Sequence, residues 1–385
     1  MQFFRKTIFW LHLGIGGAAG LVILLLAVTG LILAFQRQIL SRADASAVLD
    51  GRPHASAPLT LDSVLAQVVQ KGQNNPTDLV LHRSENAPVE VRFGRERTVY
   101  LNPWTGAPIY GFSTSLHRFF AWIVRLHRSL GLGLQSLWGR GIIGAANLIF
   151  LFLLLSGLYL WFPRIINLDA FKSRLLLLRN LKGNARDWNW HHVFGIWAAL
   201  PLAFIILTGV LISYPWATDL LYKATNSPQP VAGESGDGRT GQSNPIGFGA
   251  DKNAVRSVSG YDILAEVAKR QIPEWKSITL SIPQVRDKTV TIAVDTSING
   301  QPEKVTSLVI DRSSNKIVAT MHFSDNSLGR RLRTWAVYVH TGSEFGLIGQ
   351  IIIASGAFST IFLVWTCYAL SRRRFFGDRN QLRQV

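Results

Sequence analysis

The sequence predicts an α-helical integral membrane protein with four transmembrane helices, made from a duplicated unit that also carries a small α+β segment. Three observations lead to this fold class. Of the 385 residues, 48% are hydrophobic and only 16% are charged, which is too apolar for an ordinary soluble chain of this length. Four uncharged windows are long enough to cross a bilayer. The motifs of the first half of the chain also recur in the second half.

The four uncharged windows predict the membrane-spanning helices. They cover residues 7–36, 141–163, 188–218 and 345–371, and each exceeds the roughly 20 residues that a hydrocarbon core requires. The first window is far longer than the apolar core of a signal peptide, about 7–15 residues. We therefore expect a retained anchor rather than a cleaved leader.

Basic residues lie at the ends of these windows. The net charge of +17 would suggest nucleic acid as a partner of a soluble chain, but Arg5 and Lys6 precede the first window and three arginines follow the last. Six more basic residues lie between the second and third windows: Arg164, Lys172, Arg174, Arg179, Lys182 and Arg186. By the positive-inside rule, both termini and this loop are cytoplasmic. We predict contact with membrane lipid and no binding of nucleic acid.

Two spaced motifs show the duplication. The pattern His-x3-Gly-x12-Thr-Gly occurs in the first and third windows, starting at His12 and His191. The pattern Arg-x3-Trp-x4-His occurs before the second and fourth windows and ends at His127 and His340. Neither match needs a gap. The two halves are therefore parallel repeats, related by a pseudo-two-fold axis along the membrane normal.

The segments between the paired windows correspond as well. Each has helical apolar spacing followed by alternating strands, and a turn at Gly106 or Asn315, residue types that suit a left-handed conformation. We therefore divide the chain into a first span (1–36), a first outward α+β domain (37–112), an interfacial segment with the second span (113–163), a cytoplasmic loop (164–187), a third span (188–218), a flexible linker (219–253), a second outward α+β domain (254–328), a fourth span (329–371) and a cytoplasmic tail (372–385).

This topology predicts two pairs of histidines. His12 and His191 begin their windows near the cytoplasmic face, and His127 and His340 precede theirs near the outer face. Two imidazoles facing each other in a helical bundle are the axial ligand set of a b-type haem, so we predict one haem b per pair and two per chain. From His12 to Gly30 is about 18 residues, roughly 27 Å of helix, so one haem cannot serve both faces.

Glycines and arginines accompany the histidines. Gly16 and Gly195 lie four residues after His12 and His191, on the same helix face, and leave room for a flat macrocycle. Arginines near the outer pair are candidates for binding haem propionates: Arg118, Arg125, Arg128 and Arg331.

Other interpretations of the histidines remain open. Each could be a hydrogen-bonded interfacial residue, and zinc is the other common use of paired histidines, although two imidazoles without a matched carboxylate fall short of its usual ligand count. His192, which has no counterpart in the first window, could replace His191 as a ligand. His117 corresponds to Arg330 and is expected to make a propionate or surface contact.

The sequence resembles the PepSY-associated transmembrane family over nearly its whole length. The motifs that carry the resemblance are His127-Arg-Ser-Leu-Gly131, Trp190-His191-His192-Val-Phe-Gly195, Thr208-Gly209, Val339-His340-Thr-Gly342 with Phe345-Gly346, and Arg372-Arg373-Arg374. Two positions depart from the family pattern, because Leu flanks His12 on both sides and Cys367 stands where a glycine is usual. Neither departure removes a proposed ligand.

The resemblance implies a function. Similar members are haem-containing ferric-siderophore reductases of the bacterial inner membrane, and their outward domains are PepSY domains. We therefore expect an oxidoreductase that accepts electrons from a quinol or a cytoplasmic reductant and reduces the iron of a ferric siderophore on the periplasmic side. Two alternatives stay open: a haem-free regulatory protein whose PepSY-like domains bind a peptidase, and a permease for the iron chelate.

Overall fold

The computed structural model describes residues 2–53, 57–70, 76–94, 97–164, 167–229, 259–284, 287–297 and 300–376. The chain divides into two compact units. The helical unit comprises the described residues of 1–35, 120–218 and 339–385, and the sheet unit comprises those of 36–119 and 219–338.

The helices and strands follow one another in a similar order in the two halves of the chain, with three strands in the first half and four in the second among the described residues. The α-helices of the described residues are α1 (Gln2–Ala34), α2 (Gln36–Asp50), α3 (Leu61–Gln70), α4 (Phe112–Ser129), α5 (Leu137–Trp161), α6 (Leu168–Leu175), α7 (Gly183–Ser213), α8 (Pro215–Ala224), α9 (Tyr261–Gln271), α10 (Leu328–His340) and α11 (Gly346–Phe376). The strands are β1 (Asp78–His82), β2 (Val89–Phe93), β3 (Arg97–Leu101), β4 (Ser277–Ser281), β5 (Thr289–Asp295), β6 (Val305–Asp311) and β7 (Ile317–His322).

The four membrane-spanning helices are confirmed as α1, α5, α7 and α11, each long and apolar enough to cross a bilayer. Their ends differ from the predicted windows where local chemistry decides. The third window was predicted to reach residue 218, but α7 ends at Ser213 because Pro215 forces the preceding Tyr214 into an extended conformation. A new helix, α8, starts at that proline, which is favoured at the first helical position.

Two segments predicted as loops contain helix. The predicted cytoplasmic loop 164–187 includes α6 and the first turn of α7, and α6 begins at an Asn167 side chain that accepts a hydrogen bond from the Ala170 backbone N–H. The predicted flexible linker 219–253 begins with α8. The rest of that linker, from residue 230 onward, lies outside the described residues, as does the cytoplasmic tail after Phe376.

Small residues let the long helices of the helical unit pack closely. The Tyr368 hydroxyl on α11 donates to the Gly17 carbonyl on α1 at 2.7 Å, and a Cβ at Gly20 would lie 2.8 Å from that hydroxyl. A Cβ at Gly356 on α11 would lie 3.1 Å from Cβ of Pro201 on α7. Close backbone approach at small residues is the usual way that helices associate in a membrane.

The sheet unit contains one antiparallel sheet in the order β3-β2-β1-β4-β5-β6-β7. Alternate strand residues are apolar on the face that α3 and α9 cover, and Leu79, Ile278 and Leu280 there are fully buried with Leu65 and Tyr261. The other residues of these strands, such as Glu90 and Thr279, lie on the opposite face. The core of this unit thus draws on both halves of the sequence.

The structure differs here from two separate α+β domains at 37–112 and 254–328. Both segments are present, but β1 of the first pairs with β4 of the second over five residue pairs, from Asp78 with Ser281 to His82 with Ser277. An unpaired strand edge is a liability in any sheet. Because β1 and β4 cover each other's edge, the strands of both halves form a single sheet.

Reciprocal hydrogen bonds between α3 and α9 also join the two halves of the sheet unit. The Asp62 carboxylate accepts the backbone N–H groups of Gly260 and Tyr261 at 2.9 and 2.8 Å. The Asp262 carboxylate accepts those of Leu61 and Asp62 at 2.8 and 3.2 Å. Each helix therefore caps the N-terminus of its repeat partner, where backbone N–H groups lack partners within the helix and negative charge is stabilised.

Candidate functional site

The inner pair consists of His12 on α1 and His191 on α7, at the end of the bundle where α1 begins. Their ring centres lie 6.4 Å apart and the ring planes are nearly perpendicular, at 88°. Nδ1 of His12 lies 2.8 Å from the hydroxyl of Ser156 on α5. Nδ1 of His191 lies 2.9 Å from the hydroxyl of Thr366 on α11. Each ring is thus oriented by a hydroxyl on a neighbouring helix.

The outer pair repeats this arrangement at the opposite end of α1 and α7. His127 at the end of α4 and His340 at the end of α10 have ring centres 6.5 Å apart, with ring planes at 62°. Nδ1 of His127 lies 2.7 Å from the hydroxyl of Thr29 on α1. Nδ1 of His340 lies 3.1 Å from the hydroxyl of Thr208 on α7 and 3.0 Å from a backbone carbonyl oxygen of that helix.

The hydroxyl groups determine which nitrogen of each ring carries the proton. A hydroxyl has one proton, and each of these donates it to the carbonyl four residues earlier in its own helix, as Thr29 does to Leu25 at 2.6 Å and Ser156 to Phe152 at 2.7 Å. Thr366 and Thr208 do the same. The hydroxyl oxygens must then accept Nδ1–H from the rings, so Nε2 keeps the lone pair and is the nitrogen that would bind a metal.

The ring spacing suits one metal ion between the two rings of each pair. An imidazole nitrogen binds a transition metal at about 2 Å, so two rings that share one metal have centres roughly 6 Å apart. Both observed distances, 6.4 and 6.5 Å, agree with this value. Hydrogen bonding through the nitrogen that does not face the metal is the usual arrangement of ligand histidines. The spacing of each pair is therefore compatible with two imidazoles that would bind one metal ion.

Glycines give two of the rings their space. A Cβ added to Gly157 would lie 3.3 Å from Cε1 of His12, and one added to Gly30 would lie 3.5 Å from Cε1 of His127. Each of these glycines follows the residue whose hydroxyl orients the same ring, Ser156 and Thr29. In each of the pairs Ser156-Gly157 and Thr29-Gly30, the hydroxyl residue therefore accepts a hydrogen bond from the ring, and the glycine presents no side chain to it.

A cavity of about 1230 Å³ adjoins the inner pair within the helical unit. His12, His191, Gly16 and Gly195 all line it. The cavity also reaches Ile23, eleven residues beyond His12 and about 16 Å deeper along α1. Its volume exceeds the roughly 300–1,000 Å³ that is typical of small-molecule pockets, so it has room for an organic cofactor.

His191, not His192, faces His12. The ring of His192 lies 3.9 Å from that of Trp188, and its Nδ1 donates to the Trp188 backbone carbonyl at 2.9 Å. His192 still lines the same cavity. The ring next to that of His12 is therefore the ring of His191, and the choice of His191 over His192 as a ligand stays a prediction.

The predicted arginines fall in different units. Arg118 and Arg128 both lie on α4, but Arg118 belongs to the sheet unit and Arg128 to the helical unit. A haem contact of either residue stays a prediction. His117, expected at a propionate or the surface, instead bonds the Asp44 carboxylate through Nε2 at 2.9 Å and stacks on Tyr100 within the sheet unit.

Sequence reasoning missed the four hydroxyl residues. Thr29 and Thr208 enter the sequence analysis only as members of the repeated His-x3-Gly-x12-Thr-Gly motif, and Ser156 and Thr366 are not singled out there. A signal was present for Thr29 and Thr208, because both occupy the same position of that ungapped motif. Among the residues that the structure describes, no three His, Cys, Asp or Glu side chains gather around one point that could hold a bare metal ion.

Fold and site together define a class: a four-span helical membrane protein with an antiparallel sheet unit and two layers of paired histidines. The chain belongs to the PepSY-associated transmembrane family. It matches the PepSY-associated TM region over residues 9–374, which is nearly the whole chain. A search of curated proteins gave no match.

Proposed function

We propose that this protein is a two-haem electron-transfer protein of the bacterial inner membrane that reduces the iron of a ferric siderophore on the periplasmic side. The observation that carries this proposal is the recurrence of one geometry at both ends of the bundle. In each pair, two histidines face each other at 6.4–6.5 Å, each with Nδ1 engaged by a hydroxyl of a spanning helix.

His12 and His191 would hold one haem b, and His127 and His340 the other. Bound in this way, the haems would supply one-electron transfer between the two ends of the bundle. The chain itself fixes the tautomer and orientation of each ligand ring through Ser156, Thr366, Thr29 and Thr208. His12 and Thr29 are 17 residues apart on α1, which is about 25 Å of helix. Two groups are therefore needed to connect the two ends.

The substrate class follows from family resemblance and from the chemistry of iron chelates. Siderophore oxygens are hard ligands that hold Fe(III) far more tightly than the softer Fe(II), so reduction releases the metal. A quinol in the membrane or a cytoplasmic reductant would donate the electrons. The basic residues of 164–186 and at both termini favour a cytoplasmic location for the inner pair.

A visible absorption spectrum tests the cofactor. The purified protein should show a haem Soret band that shifts on reduction. Acid acetone should extract the haem, because the chain has one cysteine and so no CxxCH attachment motif, and a pyridine haemochrome assay should return two haems b per chain. A colourless protein would contradict the proposal and favour the haem-free regulatory alternative.

Vesicles test the direction and the substrate. Given a quinol donor, an external ferric siderophore and an external trap for ferrous iron, wild-type vesicles should form the ferrous complex outside. His340→Ala should abolish this signal, whereas His322→Ala, at an exposed histidine of β7 in the sheet unit, should not. Undiminished ferrous iron with His340→Ala would exclude the outer pair from the path. Uptake of labelled chelate without a reductant would instead indicate a permease.

A further inference from the structure

The lining of the cavity beside the inner pair is positively charged. None of the described residues that form it is an aspartate or a glutamate. Six of them are cationic: Arg5, Lys6, Arg164, Arg174, Arg373 and Arg374. Of these, Arg373 has an acidic partner, since its guanidinium donates to the buried Asp187 carboxylate at 2.6 Å. Such a lining attracts an anionic ligand.

Two buried donors in this lining have no acceptor among the residues that the structure describes. They are Nε1 of Trp161 and Nε of Arg174. Trp161 is only 9% exposed and packs edge-on against Phe162. Arg174 uses another nitrogen of its guanidinium to donate to the Ala170 carbonyl at 2.8 Å. A buried donor without an acceptor is strongly disfavoured, so both atoms point to a ligand that carries acceptor oxygens.

A second guanidinium lies near Arg174. Burial, and next the charge of Arg5, lower the pKa of Arg174. Arg5 itself donates to the carbonyls of Leu160 and Phe162, both at 2.7 Å, which holds it at the end of α5 beside Trp161. Two like charges held near each other in a partly buried place are stabilised by an anion between them.

The helix geometry puts these donors at a defined level relative to the inner pair. Gly157 faces the ring of His12 at 3.3 Å, measured from an added Cβ to Cε1. Trp161 follows four residues later on α5 and therefore lies on the same face, about 6 Å nearer the end of the helix. Both residues line the same cavity. Trp161 thus lies about one helical turn from the level of His12, within the cavity that a ligand of His12 and His191 would occupy.

We propose that Trp161 Nε1 and the Arg174 guanidinium bind the propionate carboxylates of the haem held by the inner pair. The inference rests on the proposed function and deepens it by assigning an anion-binding subsite within that cavity. A propionate pair supplies acceptor oxygens for these two donors and a negative charge that balances the cations of the lining. Hydrogen bonds from donors to a charged acceptor are the strong kind, so this subsite should also fix the orientation of the haem.

Haem dimethyl ester, in which both propionates are esterified, tests the inference directly. The full-length His340→Ala chain isolates the inner pair, and the readout is the rate at which haem or its ester transfers to excess apomyoglobin. The ester should leave the parent chain at least tenfold faster than haem, because it lacks the charged acceptors. Trp161→Phe and Arg174→Gln should each reduce this ratio, and the double variant should bring it close to one.

Matched controls separate the subsite from general effects. Trp138→Phe replaces a tryptophan that is 82% exposed, and Lys172→Gln replaces an exposed cation on α6 beside Arg174. Both should keep the parental ratio, and Arg174→Lys, which retains the charge, should keep most of it. Circular dichroism should show the same helix content in every variant. The midpoint potential of the inner haem should fall in Arg174→Gln, because a cation that stabilises its carboxylates is lost.

Three outcomes overturn the inference. Equal transfer rates of haem and ester from the parent would show that the propionates are not bound. A parental ratio that persists in the double variant would show that other groups bind them. Equal rates together with slower haem loss in nanodiscs rich in phosphatidylglycerol would assign the cations to lipid phosphate. Absence of haem from the wild-type chain is a separate result, since it contradicts the proposed function itself.

Discussion

The hydroxyl oxygen of Thr29 lies 2.7 Å from Nδ1 of His127, and the proton of that hydroxyl is donated to the Leu25 carbonyl within α1. The hydroxyl is therefore an acceptor toward the histidine, and the ring must be protonated on Nδ1. Thr208 stands in the same relation to His340 in the second half of the chain. A hydroxyl on one membrane helix thus determines which ring nitrogen of a histidine on another helix carries the proton.

Thr29→Val tests this relation because valine keeps the shape of threonine and removes only the oxygen. We expect the affinity for the outer haem to fall about 10–100-fold, the range found when a hydrogen-bond partner of a metal ligand is lost. The inner haem should be unaffected. Titration of haem into the apoprotein, followed by its absorption, measures the change.

Two substitutions control for this result. Thr29→Ser restores a hydroxyl and should recover most of the affinity. Ser359→Ala removes a hydroxyl of α11 that donates to the Ser355 carbonyl and does not line the cavity, and should leave both haems bound as in the wild type. Equal losses from Thr29→Val and Ser359→Ala would mean that the effect comes from helix packing.

The neighbouring histidines of α7 should differ in their effects. His191→Ala should remove the inner haem and leave the outer one, because His191 faces His12. His192→Ala should leave both haems bound, since its ring lies against Trp188 and its Nδ1 donates to a backbone carbonyl. Haem content and reduced-minus-oxidised spectra distinguish the variants. The reverse pattern would move the repeat alignment by one residue.

The sequence was sufficient for features that depend on local composition and spacing. Hydropathy predicts α1, α5, α7 and α11, because 20 or more uncharged residues have few alternatives to crossing a membrane. The ungapped repeat predicts which histidines form pairs, since equivalent residues approach each other across the pseudo-two-fold axis. Both predictions use properties that each segment carries by itself.

Other features depend on contacts between distant segments and were not predictable in this way. The pairing of β1 with β4 joins residues about 200 positions apart, and nothing in either strand specifies its partner. The polar helix α2 lacks the apolar periodicity that would have indicated it, and Asp44 is buried there through bonds with His117 and Ser113. The role of Thr29 could be recognised only once the structure placed His127, on a different helix, beside its hydroxyl.

The exchanged helix caps should stabilise the sheet unit. Asp62→Ala leaves the backbone N–H groups of Gly260 and Tyr261 without their acceptor. We expect a loss of about 1–2 kcal/mol in the free energy of unfolding. Chemical denaturation of the full chain in detergent measures this loss, with limited proteolysis within the sheet unit as the readout of unfolding.

Glu266→Ala provides the matched control for this prediction. Glu266 lies on α9, is 56% exposed at its side chain and forms a surface ion pair with Lys269. Its replacement should change the stability by less than about 0.5 kcal/mol, as is usual for exposed pairs. Asp262→Ala should resemble Asp62→Ala, because it removes the equivalent cap of α3. A negligible effect of both aspartate variants would refute the contribution of the caps.

Acid should weaken the sheet unit through Glu90. Burial alone would raise the pKa of this carboxyl, but the hydrogen bond from His82 and the charge of Arg92 outweigh it and lower the pKa from 4.5 to about 2. A carboxyl whose folded pKa is lowered stabilises the fold above its unfolded pKa, and this contribution disappears as the pH falls through the folded pKa. The affected window is therefore about pH 4.5 down to about 2. The shift corresponds to at most about 3 kcal/mol.

Glu90→Gln should reduce the free energy of unfolding at pH 6, and the difference from wild type should shrink steadily from pH 4.5 toward pH 2. Denaturant unfolding of both chains across this range measures the difference. A constant difference down to pH 2 would show that Glu90 contributes through its shape and neutral hydrogen bonds, because a contribution from its charge must vanish once the carboxylate is protonated in both states.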